Sequence, residues 1–163
     1  MLTQKRLKQV LYYSPATGVF TRLIRTTNRV KVGDIAGSPS NDGYIQIMVD
    51  GRLFKASRLA FLYMTGKWPR HLAEHKDLDP ANNKWVNLRS ANYSQNKCNT
   101  RKRIDNTSGY KGVCWFKPQK KWAAKITLSG VTKFLGYFDT ALAGHRAYRK
   151  AAKCYHGKFA RAA

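Results

Sequence analysis

A basic segment with almost no apolar residues interrupts the chain. It runs from Cys98 to Ser108, reads CNTRKRIDNTS and contains a single isoleucine. Stretches with the apolar spacing of helices and strands lie on both sides of it, a pattern typical of a linker between two folded parts. We therefore predict a first domain over residues 1–100, a basic linker at 101–107 and a second domain over 108–163.

Positive charge dominates both parts of the sequence. The chain of 163 residues carries 31 Lys and Arg against 8 Asp and Glu, a net charge of +23. Residues 1–107 hold 19 cationic and 7 acidic side chains, and residues 108–163 hold 12 and 1. Because 43% of the residues are hydrophobic, an ordered core is expected despite the charge. A field of this sign favours a polyanionic partner, and nucleic acid is the first candidate.

Several other classes of protein are disfavoured. The apolar stretches are shorter than the ~20 residues that cross a bilayer, and no charged-then-apolar signal opens the chain. We expect a soluble, cytoplasmic protein without a membrane partner. Cys98, Cys114 and Cys154 form an odd set without a C-x-x-C pair, which argues against disulfides and against a thiolate zinc site. His71 and His75 are four residues apart, but they lie in a polar stretch that is not predicted to be a helix, so no zinc is expected.

The first part predicts a mixture of helices and strands. Apolar spacing indicates a short amphipathic helix over 3–13. Asp50-Gly51 separates two β-rich runs and predicts a hairpin with a type I′ turn. Ser57 is the predicted N-cap of a second helix over 58–65.

The second part predicts three short strands and one helix, an α+β arrangement. Breaks at Pro and Gly separate β-rich runs at 110–116, 122–128 and 131–138. Asp139 or Thr140 caps the predicted helix, which extends to about Tyr155, and Gly157 ends it.

A polar stretch in the first domain combines residue types that hydrolytic chemistry needs. Glu74 and His75 are adjacent, and Asn87 and Asn96 follow. A carboxylate, an imidazole and amides can supply a ligand for a divalent metal, a general base and a positioning group. Each residue taken alone fits a polar, turn-rich loop equally well, so the prediction depends on their combination.

The same stretch resembles the HNH endonucleases, particularly the homing and nicking enzymes of phages. From Glu74 it reads EHKDLDPANNKWVNLR, which is similar to the motif of that family. The flanking segments at 12–20 (YYSPATGVF) and 57–69 (SRLAFLYMTGKWP) also look like those that precede the motif. The resemblance therefore covers about residues 1–100.

This resemblance implies a ββα-metal nuclease module, with roles for particular residues. His75 would be the general base, Glu74 and Asn96 the metal ligands, and Asn87 would hold the loop that orients His75. One divalent ion, Mg²⁺ or Mn²⁺, is the implied cofactor. Glu74 stands where aspartate is common, and Ser57 stands where these enzymes often carry histidine.

A second resemblance covers about residues 108–160. The sequence blocks SGYKGV, KWAAKI, LGYFDT and AYRKAA occur in the order found in the plant APETALA2/ethylene-response-factor DNA-binding domain. This family implies a three-stranded sheet that lies in the major groove of duplex DNA, with the helix packed behind it.

Strand alternation predicts which side of that sheet faces DNA. Trp122, Ala124 and Ile126 point to one face and should meet the helix, whereas Ala123, Lys125 and Thr127 point to the other, exposed face. For any single lysine a solvated surface is the simpler interpretation, but the charge of the whole domain favours phosphate contact. The predicted DNA-binding residues are Lys111, Phe116, Lys117, Lys120, Lys121, Lys125, Thr127, Thr132, Phe134, Arg89, Arg101, Lys102 and Arg103.

Taken together, the sequence predicts a site-directed DNA endonuclease of the homing or nicking type. We expect it to act as a monomer on double-stranded DNA, in the cytoplasm of a phage-infected bacterial cell. One alternative is a DNA-binding regulator with a decayed nuclease module, which the residues at Ser57 and Glu74 suggest. Another is a ribosomal or RNA-binding protein, since the composition alone fits it.

Overall fold

The chain folds into two compact units of mixed α+β structure. The structure is a computed structural model, and it describes residues 1–161. The first unit is Met1–Asn92, and the second begins at Tyr93. This division precedes the segment at 101–107 for which a linker was predicted. Within the described residues, no helix is long and apolar enough to cross a membrane.

Short helices and antiparallel strand pairs make up the first unit. In chain order the elements are α1 (Gln4–Val10), β1 (Leu11–Tyr13), β2 (Phe20–Arg22), β3 (Ser38–Pro39), β4 (Ile45–Val49), β5 (Arg52–Lys55), α2 (Ala56–Thr65), β6 (Leu72–His75), a 3₁₀ turn (Trp85–Asn87) and β7 (Leu88–Ala91). The strands form the pairs β1–β2 and β6–β7 and the three-stranded sheet β3–β4–β5.

The predicted hairpin and first helix are present, but the helix is shorter than predicted. Asp50 and Gly51 have φ values of 47° and 74°, as a type I′ turn requires. Helix α1 ends at Val10 because the next three residues pair with β2. Thr3 caps this helix, and its hydroxyl accepts the Arg6 backbone N–H at 3.2 Å.

The predicted cap of the second helix is wrong. Strand β5 leads directly into α2, so that Lys55 is the cap residue and Ser57 lies in the first turn. Ser57 is only 2% exposed, because its side of the helix faces the core. Gly66 ends α2 in the left-handed conformation, with φ at 72°.

Aromatic and aliphatic side chains from most elements fill the core of the first unit. The rings of Tyr13 and Phe20, on paired strands, stack with centroids 4.6 Å apart, and Tyr63 on α2 packs against both. Burial of these large side chains supplies much of the stabilisation, at about 1.5–3 kcal/mol for a fully buried apolar residue. The most deeply buried aliphatic side chains are Leu7, Leu11, Ile47 and Leu59.

The second unit contains the predicted three-stranded antiparallel sheet and helix. The elements are α3 (Tyr93–Cys98), β8 (Val113–Phe116), a 3₁₀ turn (Lys117–Gln119), β9 (Lys121–Leu128), β10 (Val131–Phe138), α4 (Ala141–His156) and a 3₁₀ turn (Gly157–Phe159). The sheet has the order β10–β9–β8, with the longest strand pair between β9 and β10. Thr140 caps α4 by accepting the Ala143 backbone N–H at 3.1 Å.

One face of the sheet packs against α4. Ile126 on β9 contacts Tyr148 and Ala152, and all three are buried. Gly112 lies so close to Tyr148 that an added Cβ would stand 2.1 Å from the ring, which explains the absence of a side chain there. The predicted alternation along β9 holds for Ala124 and Ile126, which are buried, and for Lys125 and Thr127, which are exposed. It is wrong for Ala123, which is 1% exposed because it lies in the central strand between Cys114 and Tyr137.

Candidate active site

The hairpin β6–β7 places an acid and an imidazole side by side in a buried position. Glu74 and His75 are the last two residues of β6, and they are 3% and 6% exposed. They pair across the hairpin with Arg89 and Leu88. The ring of Tyr44, on the neighbouring segment, lies 5.8 Å from the His75 ring.

Asparagine and aspartate side chains close the loop that joins β6 to β7. Asn87 accepts the Asp77 backbone N–H at 3.2 Å, and its Nδ2 donates to Asp77 Oδ1 at 2.9 Å. Asn82 Nδ2 donates to Asp77 Oδ2 at 2.6 Å. Burial alone would raise the pKa of Asp77, but these bonds and one from the Asp79 backbone lower it. The loop is therefore held most firmly when this carboxylate is ionised.

Asn83, in the same loop, contacts the imidazole of His75. Its Oδ1 lies 3.1 Å from His75 Nε2, and its Nδ2 donates to the Ala81 carbonyl at 3.1 Å. The second bond fixes the amide so that its oxygen faces the histidine. Because an amide oxygen can only accept, Nε2 carries the proton in this pair and the basic lone pair of the neutral ring resides on Nδ1.

The N-terminal hairpin β1–β2 forms hydrogen bonds to the loop between β6 and β7. Tyr13 donates its hydroxyl to the Asn83 carbonyl at 2.6 Å, and the Trp85 backbone N–H donates to the Pro15 carbonyl at 2.9 Å. Burial raises the pKa of Tyr13 to about 12. Gly18 is so close to the loop that a Cβ there would stand 2.4 Å from the Asn83 carbonyl carbon.

An ion pair holds Glu74 in the protein interior. Arg89 Nε donates to Glu74 Oε2 at 2.5 Å, and the two side chains are 13% and 2% exposed. The other carboxylate oxygen, Oε1, is buried and has no hydrogen-bond partner among the described residues. An unsatisfied buried carboxylate oxygen is costly, and a cation is the kind of group that would satisfy it.

The predicted catalytic residues divide between the two units. Glu74, His75 and Asn87 come together on the β6–β7 hairpin and its loop. Asn96 lies on α3, in the second unit, so its pairing with Glu74 stays a prediction. Residues 1–161 contain no cluster of three His, Cys, Asp or Glu side chains at metal-binding spacing.

Three supporting residues were not singled out from the sequence. Asn83 belongs to the Asn82-Asn83 pair inside the motif, and that repeat was the available signal. Tyr13 and Gly18 lie in the segment that resembles the flank of the HNH motif, but their contact with Asn83 spans about 70 residues of chain. No local pattern encodes a contact of that separation.

Most of the predicted DNA-binding residues of the strands share the outer face of the second unit's sheet. Register places Thr132 opposite Thr127 and Phe134 opposite Lys125. Tyr137, which was not predicted, lies on the same face. Its ring centroid is 5.1 Å from that of Phe116, on which it stacks, and 4.7 Å from that of Phe134. The predicted members of this face are Phe116, Lys121, Lys125, Thr127, Thr132 and Phe134.

Other predicted DNA-binding residues lie elsewhere. The ammonium of Lys111 donates to the carbonyls of Cys98 and Thr100, at 2.9 and 2.7 Å, and burial lowers its pKa. Arg89 is the partner of Glu74 in the first unit. The remaining cations are exposed, in the turn between β8 and β9 or in the segment before β8: Lys117, Lys120, Arg101, Lys102 and Arg103.

Comparison with known protein families gives a match for the segment that contains the β6–β7 hairpin. Residues 54–98 match the HNH endonuclease family. The chain contains an HNH endonuclease domain. The matched stretch begins in β5, ends with α3 and includes Glu74, His75 and Asn96.

Two known proteins resemble parts of the chain. Protein 3.8 of Escherichia phage T7 is 37% identical over 57 residues, which are 35% of this chain and 47% of that protein. The structure titled "DNA binding and cleavage by the HNH homing endonuclease I-HmuI" is 24% identical, with a TM-score of 0.38, and the likeness covers 51% of this chain and 47% of that one. The chain thus spans about half the length of each relative.

Proposed function

We propose that the protein is a metal-dependent DNA endonuclease of the homing or nicking type. The observation that carries this proposal is the buried Glu74–His75 pair at the end of β6, with the imidazole held by Asn83 inside an HNH domain. A fixed imidazole beside a carboxylate is the equipment that phosphodiester hydrolysis requires. The match of residues 54–98 to the HNH endonuclease family and the phage origin of one relative support the same assignment.

In this proposal His75 acts as the general base. A water molecule loses its proton to Nδ1 while its oxygen forms a bond to phosphorus and the bond to the 3′ oxygen breaks. The ring then carries a positive charge, and Asn83 Oδ1 stabilises that charge through the proton on Nε2. Asn83 and Asn87 are positioning residues, because the first contacts the base and the second closes the loop around it.

Glu74 fits the role of a ligand for a divalent metal ion. Its buried Oε1 has no hydrogen-bond partner among the described residues, whereas Arg89 occupies Oε2. Oxygen donors of this kind suit Mg²⁺ or Mn²⁺, and we assign Asn96 as a second ligand on the strength of the motif. When bound, such an ion supplies Lewis-acid stabilisation of the charge that develops on the phosphate. Arg89 holds the Glu74 carboxylate in place for this role.

We assign DNA binding in the second unit to the outer face of its sheet, as the resemblance to the APETALA2 domain implies. Lys121 and Lys125 lie on this face beside the aromatic rings of Phe116 and Phe134. The lysines suit phosphates, and the rings suit the apolar edges of bases such as the thymine methyl group. Double-stranded DNA is the proposed substrate, bound by a monomer.

Nicking of supercoiled plasmid tests the catalytic assignment. Wild-type protein should convert supercoiled to open-circular DNA with Mg²⁺ or Mn²⁺ and should stop when the metal is chelated. His75→Ala should reduce the rate by about 10²–10⁴ while DNA affinity stays nearly constant. Glu74→Gln should raise the metal concentration that gives half-maximal rate.

His71→Ala is the matched control, because His71 lies just before the same strand and is exposed. This variant, purified in parallel, should nick at the wild-type rate, and it accounts for contaminating nucleases. Equal activity in the His75 and His71 variants would remove His75 as the base. Tight duplex binding without any metal-dependent nicking would favour the alternative, a DNA-binding regulator.

A further inference from the structure

Helix α4 carries a basic stripe on the side that faces away from the sheet. We define the stripe as Arg146, Arg149, Lys150 and Lys153, which are all exposed. Their spacing of three, four and seven residues places them on one face of the helix. The buried residues Tyr148 and Ala152 occupy the opposite face, against β9 and β10.

This basic stripe lines a groove, and no acidic side chain among the described residues of the second unit forms an ion pair with it. The groove has a volume of about 390 Å³, and the four cations and Ala160 line it. Helix α4 contains no Asp or Glu, and the second unit has only Asp105 and Asp139 in all. Of these, Asp105 pairs with Arg103 and Asp139 with Lys121. Four like charges in adjacent turns repel one another, so a polyanion bound there would relieve the repulsion.

We propose that the basic stripe binds the phosphate backbone of a second segment of double-stranded DNA. From Arg146 to Lys153 the helix advances about 10.5 Å at 1.5 Å per residue. A duplex presents about six phosphates over that length, because it carries one charge per ~1.7 Å of axis. One strand contributes about three of these phosphates, so the four cations of the stripe are sufficient to contact each phosphate of the nearer strand.

A second duplex is required because the stripe and the outer face of the sheet lie on opposite sides of the second unit. Helix α4, about 10 Å across, separates them together with the sheet itself. Duplex DNA is stiff over about 150 base pairs, so one short duplex does not wrap around the unit to touch both sides. This inference rests on the proposed DNA contact of the outer face, and its consequence is that one protein bridges two DNA segments.

Duplex DNA fits the stripe better than an anionic membrane surface does. Helices that lie on membranes insert an apolar face below their cations. In α4 that face, formed around Tyr148 and Ala152, is already buried against the sheet. The stripe offers charge and hydrogen-bond donors, which are what a phosphate backbone takes from lysine and arginine.

Capture of one duplex by another tests the bridge. A biotinylated duplex is fixed on beads, full-length protein is added in chelator to prevent cleavage, and retention of a second, fluorescent duplex is measured across a salt series. Wild-type protein should retain the second duplex. A variant with all four stripe residues changed to Gln should lose this retention but still bind the first duplex. Any residual capture by this variant at low salt should depend less on salt, and the slope of log K against log[salt] should fall by about 0.9 per lost phosphate contact.

Three controls make the outcome decisive. The first control removes the same amount of charge from exposed positions of the first unit, and it should still capture the second duplex. Its substitutions are Lys5→Gln, Arg29→Gln, Lys31→Gln and Lys67→Gln. Exchanging Arg for Lys and Lys for Arg throughout the stripe conserves charge and should also capture. The pair Lys121→Gln, Lys125→Gln should weaken binding of the first duplex.

Several results would overturn the bridge. The first is failure of wild-type protein to retain the second duplex. The second is unchanged retention by the stripe variant, which is the result expected if two copies of the protein, each bound to one duplex, formed the bridge as a dimer. Loss of both duplexes in the stripe variant would mean that there is no separate second surface. Binding to phosphatidylserine vesicles that depends on the stripe, with DNA capture unchanged, would assign the stripe to membranes. Plasmid nicking that depends on His75 is scored separately, so failure of the proposed nuclease activity is distinguished from failure of the bridge.

Discussion

We expect Asn83 to affect the rate of DNA cleavage only by holding the imidazole ring of His75 in position. Replacing it with alanine removes the acceptor 3.1 Å from His75 Nε2, in a place where both residues are buried. An unsatisfied buried N–H costs about 1–3 kcal/mol, so Asn83→Ala should lower the free energy of unfolding by that amount. Hydrogen-bond partners that orient functional imidazoles typically contribute about 10–100-fold, and the nicking rate should fall in that range.

A double-mutant cycle makes this prediction specific. If Asn83 acts by holding the ring, Asn83→Ala should have no effect on the residual rate of a His75→Ala protein. Asn83→Asp retains an oxygen acceptor and should be faster than Asn83→Ala. Rates should be measured on supercoiled plasmid at saturating metal, with urea unfolding to confirm that each variant is folded. An equal loss of rate with and without His75 would refute the positioning role.

Further predictions concern the supports of the site. Gly18→Ala should reduce both stability and nicking, because its Cβ would clash at 2.4 Å with the loop backbone at a φ of +78°; wild-type urea midpoints would contradict this. Arg89→Ala should destabilise the fold by about 3–5 kcal/mol, since it leaves the Glu74 charge buried without its partner, and thermal unfolding measures the loss. Burial raises the pKa of Tyr13 from its ordinary value of about 10 to about 12. The protonated hydroxyl therefore contributes fully to the stability of the fold below about pH 10, and this contribution is lost as the pH rises toward 12. Tyr13→Phe should lack that additional alkaline loss, which unfolding curves across this pH range would reveal.

Local patterns in the sequence predicted the elements whose cause is local. Asp50-Gly51 has the residue types that a turn with two positive φ angles requires, and the hairpin formed there. Alternation along β9 identified the residues that meet α4 because one side of a strand must be buried. In both cases the determining interactions lie within a few residues of chain.

Tertiary context decided the features that the sequence did not predict. Ser57 has the chemistry of a cap, but continuation of β5 into α2 moved the helix start and buried it. Lys111 looked like a phosphate contact, yet backbone carbonyls of residues 98 and 100 bind its ammonium. The motif at Glu74 and His75 could be found from the sequence, whereas the role of Asn83 depended on a contact that only folding creates.

Because the N-terminal hairpin contacts the Asn83 loop, it belongs to the smallest segment that could transfer the proposed nuclease activity to another protein. The family match begins at residue 54, but Tyr13 and Gly18 hold the loop from outside that stretch. A graft of residues 54–98 onto another DNA-binding protein would include Glu74 and His75. It would lack the N-terminal hairpin whose hydrogen bonds hold the Asn83 loop in place. Chimeras built from this chain should therefore begin at or before α1, and those that begin later should need a substitute for that hairpin.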